Sequence, residues 1–392
     1  MKIMSINAGS QTLKFCLFNM ETREEIISGN FERIGIDGAF YTVKYKEDKI
    51  KEECVLKDHK DAVVILLDRL ISLGVISTLE EINGIGHRIV HGGDKYKESV
   101  MVTDKVIDDI INCSELAPLH NPAHVLGINA IKEALPRTPM VVVFDTAYHQ
   151  TIEKDKFLYP VPYSWYTDYS VRKYGFHGTS HRYIAHTVEK QIDKNLKIIS
   201  CHIGSGASIC AIKNGKSIDT SMGFTPLAGL MMGTRSGDID PSIIPFVMEK
   251  EGKSAGEVVD DLNKKSGMLG VSQFSNDSRD IENGIKEGKE QCILAQEMFV
   301  NSLVKYISQY YVTLGGADVI AFTAGLGERS IQTRREVIEK LACLGIKVDL
   351  EANNVRAEFR KISTEDSSVA VYIIPTNEEL MIAMDTEEII KR

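Results

Sequence analysis

Short blocks of apolar residues alternate with longer amphipathic segments along this chain. Apolar or alternating runs predict β-strands at residues 2–6, 13–19, 40–45, 84–90, 140–144, 318–322 and 369–374. Helical spacing of apolar residues predicts helices at residues 61–73, 106–112, 122–134, 181–191, 290–311, 332–344 and 378–390. This order of hairpins, crossover helices and late strand–helix units indicates an α/β protein with mixed sheets.

Residues 146–165 separate two halves of this pattern. The stretch 148–165 lacks clear periodicity and contains Pro160 and Pro162, which predicts an irregular connection. A second set of hairpins starts at Lys197. We therefore expect a domain boundary in this region.

The two halves share a local repeat. Segments 3–19 and 198–214 each consist of an apolar strand, a Gly/Ser turn and a second apolar strand, and Gly9 aligns with Gly204. Such turns expose backbone N–H groups and hydroxyls, which suits phosphate oxygens. Two unrelated hairpins are the alternative, because glycine turns are common between strands. The repeat favours two related domains that face one nucleotide.

Composition narrows the class of protein. The chain has 392 residues, of which 43% are hydrophobic and 26% are charged, which is ordinary for a globular protein of two or three domains. A formal net charge of -9 argues against a general nucleic-acid surface. The seven scattered cysteines contain no C-x-x-C pair, which indicates reduced cytosolic thiols. There is neither a signal-like start nor an apolar run long enough to span a membrane.

Three cationic or amide side chains lie near predicted strand ends in the first half. Asn7 and Lys14 flank the first turn, and Lys14 interrupts an apolar strand. A lysine on an edge strand is the alternative interpretation of Lys14. Arg88 ends a buried strand, where arginine is costly without an anionic partner. The partner is either a structural carboxylate or a bound carboxylate or phosphate.

Two carboxylates follow apolar strands. Asp145 ends the strand at 140–144, a position that often holds Mg²⁺ or positions a nucleophile in phosphoryl transfer. Glu378 follows the last strand, again a plausible metal position. A cap at Asp145 and a first-turn helix carboxylate at Glu378 are the structural alternatives.

The second half carries glycine-rich segments with basic residues. His177 and His181 are four residues apart, which allows zinc binding but lacks a third ligand; a hydrogen-bond donor to an oxyanion fits better. Arg235 lies in the glycine-rich segment 223–241 and could act as an arginine finger, or the segment is a surface loop. Residues 324–327 are predicted to form a turn between a strand and a helix, where Gly325 and Gly327 allow close approach of a nucleotide.

Together these segments resemble the acetokinase family, the acetate kinases. The resemblance rests on N-A-G-S at 7–10, H-R-I-V-H-G-G at 87–93, F-D-T-A-Y-H at 144–149, residues 174–181, 223–241 and 322–328, and P-T-N-E-E at 375–379. It runs from residue 2 to about residue 385. It implies two related ribonuclease-H-like domains of the actin-like ATPase superfamily, with mixed sheets flanked by helices. The implied domains are 1–147 and 148–378, with helix 379–392 packed back on the first.

The resemblance implies reversible, Mg²⁺-dependent phosphoryl transfer from ATP to acetate, giving acetyl phosphate and ADP by direct in-line transfer; Mn²⁺ is an alternative ion. Arg88 matches the carboxylate-binding arginine and Asp145 the catalytic aspartate. His177 and Arg235 match the pair that stabilises the transferring phosphoryl group. The residues that match the pocket for the acetate methyl group are Val90, Leu119, Phe176 and Pro226.

The resemblance also assigns metal and nucleotide residues. Asn7 and Glu378 match the metal site, and Lys14 matches a contact to nucleotide phosphate. The residues that match nucleotide-binding segments are His202, Ile203, Gly204, Ser205, Gly206, Asp277, Ser278, Arg279, Gly325, Leu326, Gly327, Glu328 and Arg329. A homodimer in the cytoplasm is implied, with neither nucleic acid nor membrane as a partner.

Some positions depart from the family pattern. Ser205 replaces the usual Asn of its turn, Gln11 and Thr12 replace serines, and Arg329 replaces a common Asn. These departures affect the nucleotide preference. A kinase for propionate or another short carboxylate is the nearest alternative, and a conformational-switch ATPase or a metabolite-binding module are alternatives of other classes.

A carboxylate with a pKa of about 4–5 is already a nucleophile at neutral pH and needs no general base. Asp145 is therefore expected to orient Arg88 or metal-bound water rather than to remove a proton.

Overall fold

The computed structural model describes residues 1–118 and 120–392. The strands are β1 (Lys2–Ala8), β2 (Thr12–Asn19), β3 (Glu24–Glu32), β4 (Phe40–Tyr45), β5 (Asp48–Glu53), β6 (Ile82–Ile89), β7 (Val100–Met101), β8 (Met140–Phe144), β9 (Lys197–Ile203), β10 (Ala207–Lys213), β11 (Lys216–Thr220), β12 (Val319–Thr323), β13 (Arg360–Lys361) and β14 (Ala370–Ile373). The α-helices are α1 (His59–Ser72), α2 (Asp104–Asn112), α3 (Asn121–Ala134), α4 (Lys154–Phe157), α5 (Tyr163–Tyr169), α6 (Gly178–Gln191), α7 (Ile243–Glu251), α8 (Ala255–Lys264), α9 (Gly267–Ser272), α10 (Ser278–Lys286), α11 (Glu290–Thr313), α12 (Ala324–Arg329), α13 (Ile331–Lys340) and α14 (Glu378–Lys391).

The described chain divides into two compact units. Unit 1 comprises Met1–Gln150 and Asn377–Arg392, and unit 2 comprises Thr151–Thr376. Each unit contains one mixed sheet flanked by helices. The predicted α/β class with mixed sheets is confirmed.

The sheet of unit 1 has eight strands in the order β5-β4-β3-β2-β1-β6-β8-β7. Strands β1, β6 and β8 are parallel, and the remaining neighbours are antiparallel. One face packs on α1 and α3 through residues such as Ile6, Leu66 and Ile131. On the other face, Ala383 of α14 packs with Ile3.

Two glycines of β6 allow α14 to approach the sheet. A Cβ atom at Gly84 would lie 2.3 Å from Ile390, and one at Gly86 would lie 2.4 Å from Thr386 and 2.5 Å from Ile382. A Cβ atom at either position would force these side chains of α14, or the helix itself, to move. The two glycines therefore allow α14 to pack closely on the sheet of unit 1.

The sheet of unit 2 has six strands in the order β11-β10-β9-β12-β14-β13. Its first strand, β9, pairs antiparallel with β10 and parallel with β12, as β1 pairs antiparallel with β2 and parallel with β6 in unit 1. The repeated hairpins at 3–19 and 198–214 thus occupy equivalent places in their sheets.

Several local expectations need correction. The edge-strand interpretation of Lys14 is wrong, because β2 is hydrogen-bonded on both sides, to β1 and β3. The stretch 148–165, predicted to be irregular, contains α4 and the start of α5. The predicted turn at 324–327 is helical from its first residue. The helix predicted at 332–344 ends at Lys340, before a separate 3₁₀ turn at Ala342–Leu344.

Candidate active site

A polar cavity of about 440 Å³ lies in unit 1 between the sheet and the first turn of α14. It brings together Asn7, Lys14, Arg88 and Glu378. Asn7 and Lys14 are direct partners across β1 and β2, so their side chains share one face of the sheet. The cavity is also lined by Asn377 and Glu379 of the P-T-N-E-E motif, and by residues that the sequence interpretation missed, namely Ser28, Asn30, Thr42 and Lys44.

Arg88 and Asp145 form a two-pronged ion pair at the ends of adjacent parallel strands. Arg88 lies opposite Val143 in the β6–β8 register, which places it close to Asp145 just beyond β8. Arg88 Nη2 donates to Asp145 Oδ2 at 2.6 Å, and Arg88 Nε donates to Oδ2 at 3.1 Å and to Oδ1 at 3.2 Å. The Asp145 side chain is 2% exposed and the Arg88 side chain 24%.

The ion pair has consequences for the charge of Arg88. Burial disfavours the guanidinium, but the Asp145 carboxylate outweighs this effect, so the pKa of Arg88 lies above its ordinary value. Within residues 1–118 and 120–392, Arg88 Nη1 makes no hydrogen bond. Arg88 therefore combines a structural partner with a donor group that can bind a further anion.

Glu378 is the first residue of α14, which is capped by Asn377 Oδ1 accepting from the Leu380 N–H at 2.9 Å. Burial raises the pKa of Glu378 to about 7. The Arg88 and Lys14 cations oppose the rise, and Asp145 adds to it. A carboxylate with so little compensation is stabilised by a bound cation.

The donor set in this cavity fits a hard cation such as Mg²⁺. Glu378 and Asn7 offer a carboxylate and an amide oxygen, and Mg²⁺ is commonly held by one or two protein ligands together with water and phosphate. In the part of the chain that the structure describes, no three His, Cys, Asp or Glu side chains cluster as a metal-ligand set.

In unit 2, His177 lies immediately before α6 with φ of 56°, a left-handed conformation that is strained for a non-glycine residue. Its Nδ1 is 2.9 Å from Ser208 Oγ. Its ring stacks on His202, with centroids 4.1 Å apart and planes 20° apart. His202 Nδ1 is in turn 2.8 Å from Ser180 Oγ. These contacts fix the imidazole ring of His177 from one edge and one face.

Arg235 and His177 converge beside Gly206. A Cβ atom built on Gly206 would lie 3.2 Å from Arg235 Nη1 and 3.6 Å from His177 Nε2. Arg235 Nη1 donates to the Pro226 carbonyl at 3.3 Å. Among the described residues, Arg235 has no carboxylate partner, and burial lowers its pKa. A half-buried arginine without a carboxylate partner, beside the Nε2 edge of a histidine and a glycine turn, is suited to bind an anion.

The loop that carries Arg235 depends on one glycine of α9. The Met232 N–H donates to the Arg235 carbonyl at 3.0 Å, closing a tight turn. Gly267 has φ of 62°, and a Cβ atom there would lie 2.1 Å from the Met232 carbonyl oxygen. Gly267 therefore permits the turn that presents Arg235.

The segments expected to bind nucleotide lie close to one another in unit 2. A Cβ atom on Gly204 would be 3.9 Å from Ala324, at the start of α12. The Gly233 N–H donates to the Ser205 carbonyl at 3.4 Å, and a Cβ atom on Gly233 would lie 3.4 Å from the Asn276 carbonyl. The turns around Gly204, the segment before Ser278 and the start of α12 thus surround one region.

Some residues of these segments also have structural contacts. Asp277 caps α10 by accepting from the Arg279 N–H at 2.9 Å, and the Arg279 guanidinium, 85% exposed, pairs with the same carboxylate. Glu328 Oε1 accepts from the Thr376 N–H at 3.1 Å. Arg329 is exposed, like Ser205 and Gly325; Leu326 is half-buried and Gly327, His202 and Ile203 are buried.

The residues assigned to the methyl pocket are apolar and mostly buried. Val90 follows β6 directly and is 6% exposed, and Phe176 is 3% exposed. Pro226 is half-buried and contributes its carbonyl to Arg235. Leu119 lies outside the described residues.

Ser208 and His181 are the polar residues of unit 2 that the sequence interpretation did not assign to the site. Ser208 Oγ lies 2.8 Å from His181 Nε2 as well as 2.9 Å from His177 Nδ1. The spacing of the two histidines was a signal that they share a binding partner. That partner is a serine hydroxyl on a neighbouring strand, which only the tertiary fold brings near.

Known proteins resemble this chain over nearly its whole length. Residues 2–384 match the Acetokinase family. An acetate kinase of Halalkalibacterium halodurans is 52% identical over 98% of this chain and 99% of that protein. The crystal structure of an acetate kinase from Porphyromonas gingivalis superposes with a TM-score of 0.95 at 43% identity, covering 99% of both chains. A propionate kinase structure from Francisella tularensis gives a TM-score of 0.93 at 39% identity, again covering 99% of both chains.

Proposed function

The chain belongs to the Acetokinase family, and we propose that its own residues transfer a phosphoryl group between ATP and acetate in the following way. The protein is a kinase that phosphorylates acetate, with ATP and ADP as co-substrates. The reaction is reversible and gives acetyl phosphate and ADP. One acetate oxygen bonds to the γ-phosphorus as the bond from that phosphorus to the ADP oxygen breaks, by direct in-line transfer.

Arg88 binds the acetate carboxylate. Its Nε and Nη2 are held by Asp145, which leaves Nη1 for the substrate. Asp145 orients the guanidinium and keeps it charged. Because the acetate carboxylate has a pKa of about 4–5, it attacks in its ionised form and no general base is required.

The observation that carries the proposal is the convergence of Arg235 and His177 beside Gly206. During transfer, negative charge spreads over the equatorial phosphoryl oxygens, and preorganised donors aimed at that charge lower the barrier. Arg235 supplies a charge that no protein carboxylate neutralises among the described residues. His177 supplies a hydrogen bond from Nε2.

Asn7 and Glu378 hold Mg²⁺, for which Mn²⁺ can substitute. The ion supplies positive charge to the phosphate oxygens when it is bound. The raised pKa of Glu378, about 7, supports this assignment, because burial disfavours its charge and a cation in the cavity of unit 1 would favour the ionised form.

Lys14 contacts a nucleotide phosphate, and three segments of unit 2 bind the nucleotide. These segments are His202–Gly206, Asp277–Arg279 and Gly325–Arg329. The absence of Cβ atoms at Gly204, Gly206 and Gly325 supports close approach of a phosphate or ribose to the backbone.

A steady-state assay of ADP release tests this function. The purified chain is mixed with MgATP and acetate, propionate, butyrate or no acid. We expect ADP release to require the acid and to be fastest with acetate, with acetyl phosphate as the second product. ADP release that is equal with and without acid would identify an ATPase and contradict the proposal, and faster turnover of propionate would favour the alternative substrate.

A homodimer in the cytoplasm is also part of the proposal, with neither nucleic acid nor membrane as a partner. Helix α7 supports the dimer, because none of its residues is buried within this chain and Phe246 is 61% exposed. In the described residues, every helix is too short or too polar to cross a bilayer. The cytoplasmic location is supported by the ATP co-substrate and by the free cysteines.

A further inference from the structure

A continuous hydrogen-bonded line leads from the core of unit 2 to His177. Ser200 Oγ on β9 is 2.9 Å from His181 Nδ1, and His181 Nε2 is 2.8 Å from Ser208 Oγ on β10. Ser208 Oγ is 2.9 Å from His177 Nδ1. Ser200, His181 and Ser208 are all fully buried.

Proton counting restricts this line to two arrangements. The Ser208 hydroxyl has one proton and contacts two ring nitrogens, so it donates to one and accepts from the other. In the first arrangement, Ser200 donates to His181 Nδ1, His181 Nε2–H donates to Ser208, and Ser208 donates to His177 Nδ1. In the second arrangement every donor is reversed, and His181 Nδ1–H donates to Ser200.

In the first arrangement, every N–H and O–H proton that lies between these residues has an acceptor. In the second, the Ser200 hydroxyl proton needs another acceptor, and across residues 1–118 and 120–392 the Ser200 side chain makes no hydrogen bond besides the one to His181. A buried hydroxyl without an acceptor is costly. Protonation of His177 at Nδ1 would force the second arrangement, so the same cost opposes an imidazolium.

The surroundings of His177 also disfavour a positive charge on its ring. The His202 ring stacks at 4.1 Å, and the Arg235 guanidinium lies beside the same turn. We propose that Ser208 is a positioning residue that, backed by His181 and Ser200, fixes His177 as the neutral tautomer with its proton on Nε2. This inference rests on the proposed function for its catalytic meaning, but the tautomer itself is a property of the free protein.

The consequence is that neutral His177 donates a hydrogen bond from Nε2–H to the phosphoryl group, so the ring does not have to be protonated first. In the opposite tautomer, a lone pair on Nε2 would face the phosphoryl oxygens and repel them. Ser208 thus determines the direction of the hydrogen bond that His177 makes at the Gly206 turn.

Nitrogen NMR of histidine-labelled protein without substrates tests the tautomer directly. In the parent, we expect the His177 Nε2 signal to show a bound proton and to stay constant between pH 8 and pH 6. A proton on Nδ1, or an imidazolium at pH 7, would overturn the proposal whatever the variants do. Absence of acetate-dependent turnover in the parent would count against the proposed function and would leave this tautomer result intact.

Substitution of Ser208 tests the cause. In Ser208→Ala we expect the His177 signals to titrate near the ordinary histidine pKa of about 6.5, with kcat at least about tenfold lower and both KM values within about twofold. Ser208→Thr keeps the hydroxyl and should restore both readouts. Ser221→Ala removes another buried serine of the same sheet region, which accepts from the Ile209 N–H, and should leave the His177 signals unchanged. Unchanged His177 signals in Ser208→Ala would overturn the positioning role.

Discussion

Arg88 and Arg235 differ in how far the protein compensates their buried positive charge. Arg88 is paired with Asp145 on two of its nitrogens, whereas Arg235 contacts only a carbonyl and a thioether among the described residues. A guanidinium without a carboxylate partner carries stored desolvation cost that a bound anion relieves. Arg88 is thus oriented by a carboxylate of the protein, whereas the charge of Arg235 stays available for a bound anion.

Replacing Arg235 should damage turnover far more than nucleotide binding. For Arg235→Ala we expect kcat to fall by roughly 10³–10⁵, as for comparable arginine fingers, because the charge acts mainly while the phosphoryl group is in transit. Equilibrium binding of ADP should change only a few-fold. The measurement is steady-state kinetics beside calorimetric ADP binding, with Arg335→Ala on the exposed face of α13 as control. Turnover within a few-fold of the parent would remove Arg235 from the mechanism.

Val90 should limit the size of the acid. It follows Arg88 by two residues and is 6% exposed, so shortening it should enlarge the proposed pocket for the acid. For Val90→Ala we expect the propionate-to-acetate ratio of kcat/KM to rise roughly tenfold, since one methylene in an apolar pocket is worth about 1–3 kcal/mol. Val106→Ala on α2 is the control. An unchanged ratio would place Val90 outside the methyl pocket.

At the scale of elements, β6, the loop after it and α3 carry three buried histidines. Burial lowers the pKa of His87 and of His124 to about 3, and that of His91 to about 4. His91 Nδ1 accepts from the Gly93 N–H at 3.0 Å, a bond that protonation of this nitrogen would break. All three side chains are therefore neutral in the folded protein at neutral and mildly acidic pH.

These histidines should make the fold sensitive to acid. The unfolded chain binds their protons near pH 6.5, whereas the folded chain does so only near pH 3–4, so stability is full above pH 6.5 and falls as the pH drops towards 4. Each histidine contributes up to about 1.4 kcal/mol per pH unit.

His124→Gln should flatten this dependence. Denaturant unfolding at pH 7, 6 and 5 measures how the free energy of unfolding changes with pH. The difference between variant and parent gives the contribution of His124 alone, because the carboxylates that titrate in the same pH range are present in both. Asn129→Gln, at an exposed position of α3, is the control and should keep the parent slope. An equal slope in His124→Gln and parent would show that His124 is charged in the folded protein.

The sequence predicts elements well where the local signal is complete. Strand β8 was predicted at its observed bounds, because five apolar residues lie between Pro139 and Asp145. Helix α12 was missed because Gly325 and Gly327 are unfavourable in helices, and local propensity gives no sign that packing overrides them. The start of α6 was placed three residues late, since Gly178 and Thr179 resemble a turn.

In the candidate site, too, some features could be predicted from the sequence and others could not. Motifs indicated Arg88, Asp145, His177 and Arg235, and their catalytic roles stay predictions. The two-sided pairing of Lys14 and the hydroxyl shared by His177 and His181 could not be predicted, because both depend on which strands become neighbours. Sequence reveals the chemistry of a side chain, whereas the partner that orients it is a property of the tertiary fold.

Considering the complete chain, α7 is an exposed apolar helix that a second copy of the protein could cover. Ile243 is 43% exposed and Phe246 61% exposed, on a helix with no buried residue. If a second copy covers this helix, Phe246→Glu should convert a dimer into a monomer, because a charge at the centre of an apolar interface is costly.

Sedimentation velocity over a range of protein concentrations measures this change. Val312→Glu, at a position 76% exposed on α11, is the control and should sediment like the parent. A parent that sediments as a monomer at all concentrations, or a Phe246→Glu variant that remains dimeric, would exclude α7 as the dimer contact.

The position of α14 has a consequence for biosynthesis. Unit 1 needs this helix to cover Ile3. On the ribosome, however, residue 377 is added 227 residues after residue 150. At 5–20 residues per second, the first sheet therefore waits roughly 11–45 s with one apolar face bare. Glu378 arrives with the same helix, so the nascent chain acquires this cavity carboxylate only after the whole of unit 2 has been translated. During that interval the uncovered apolar face of the sheet is the surface most exposed to aggregation and to chaperone binding.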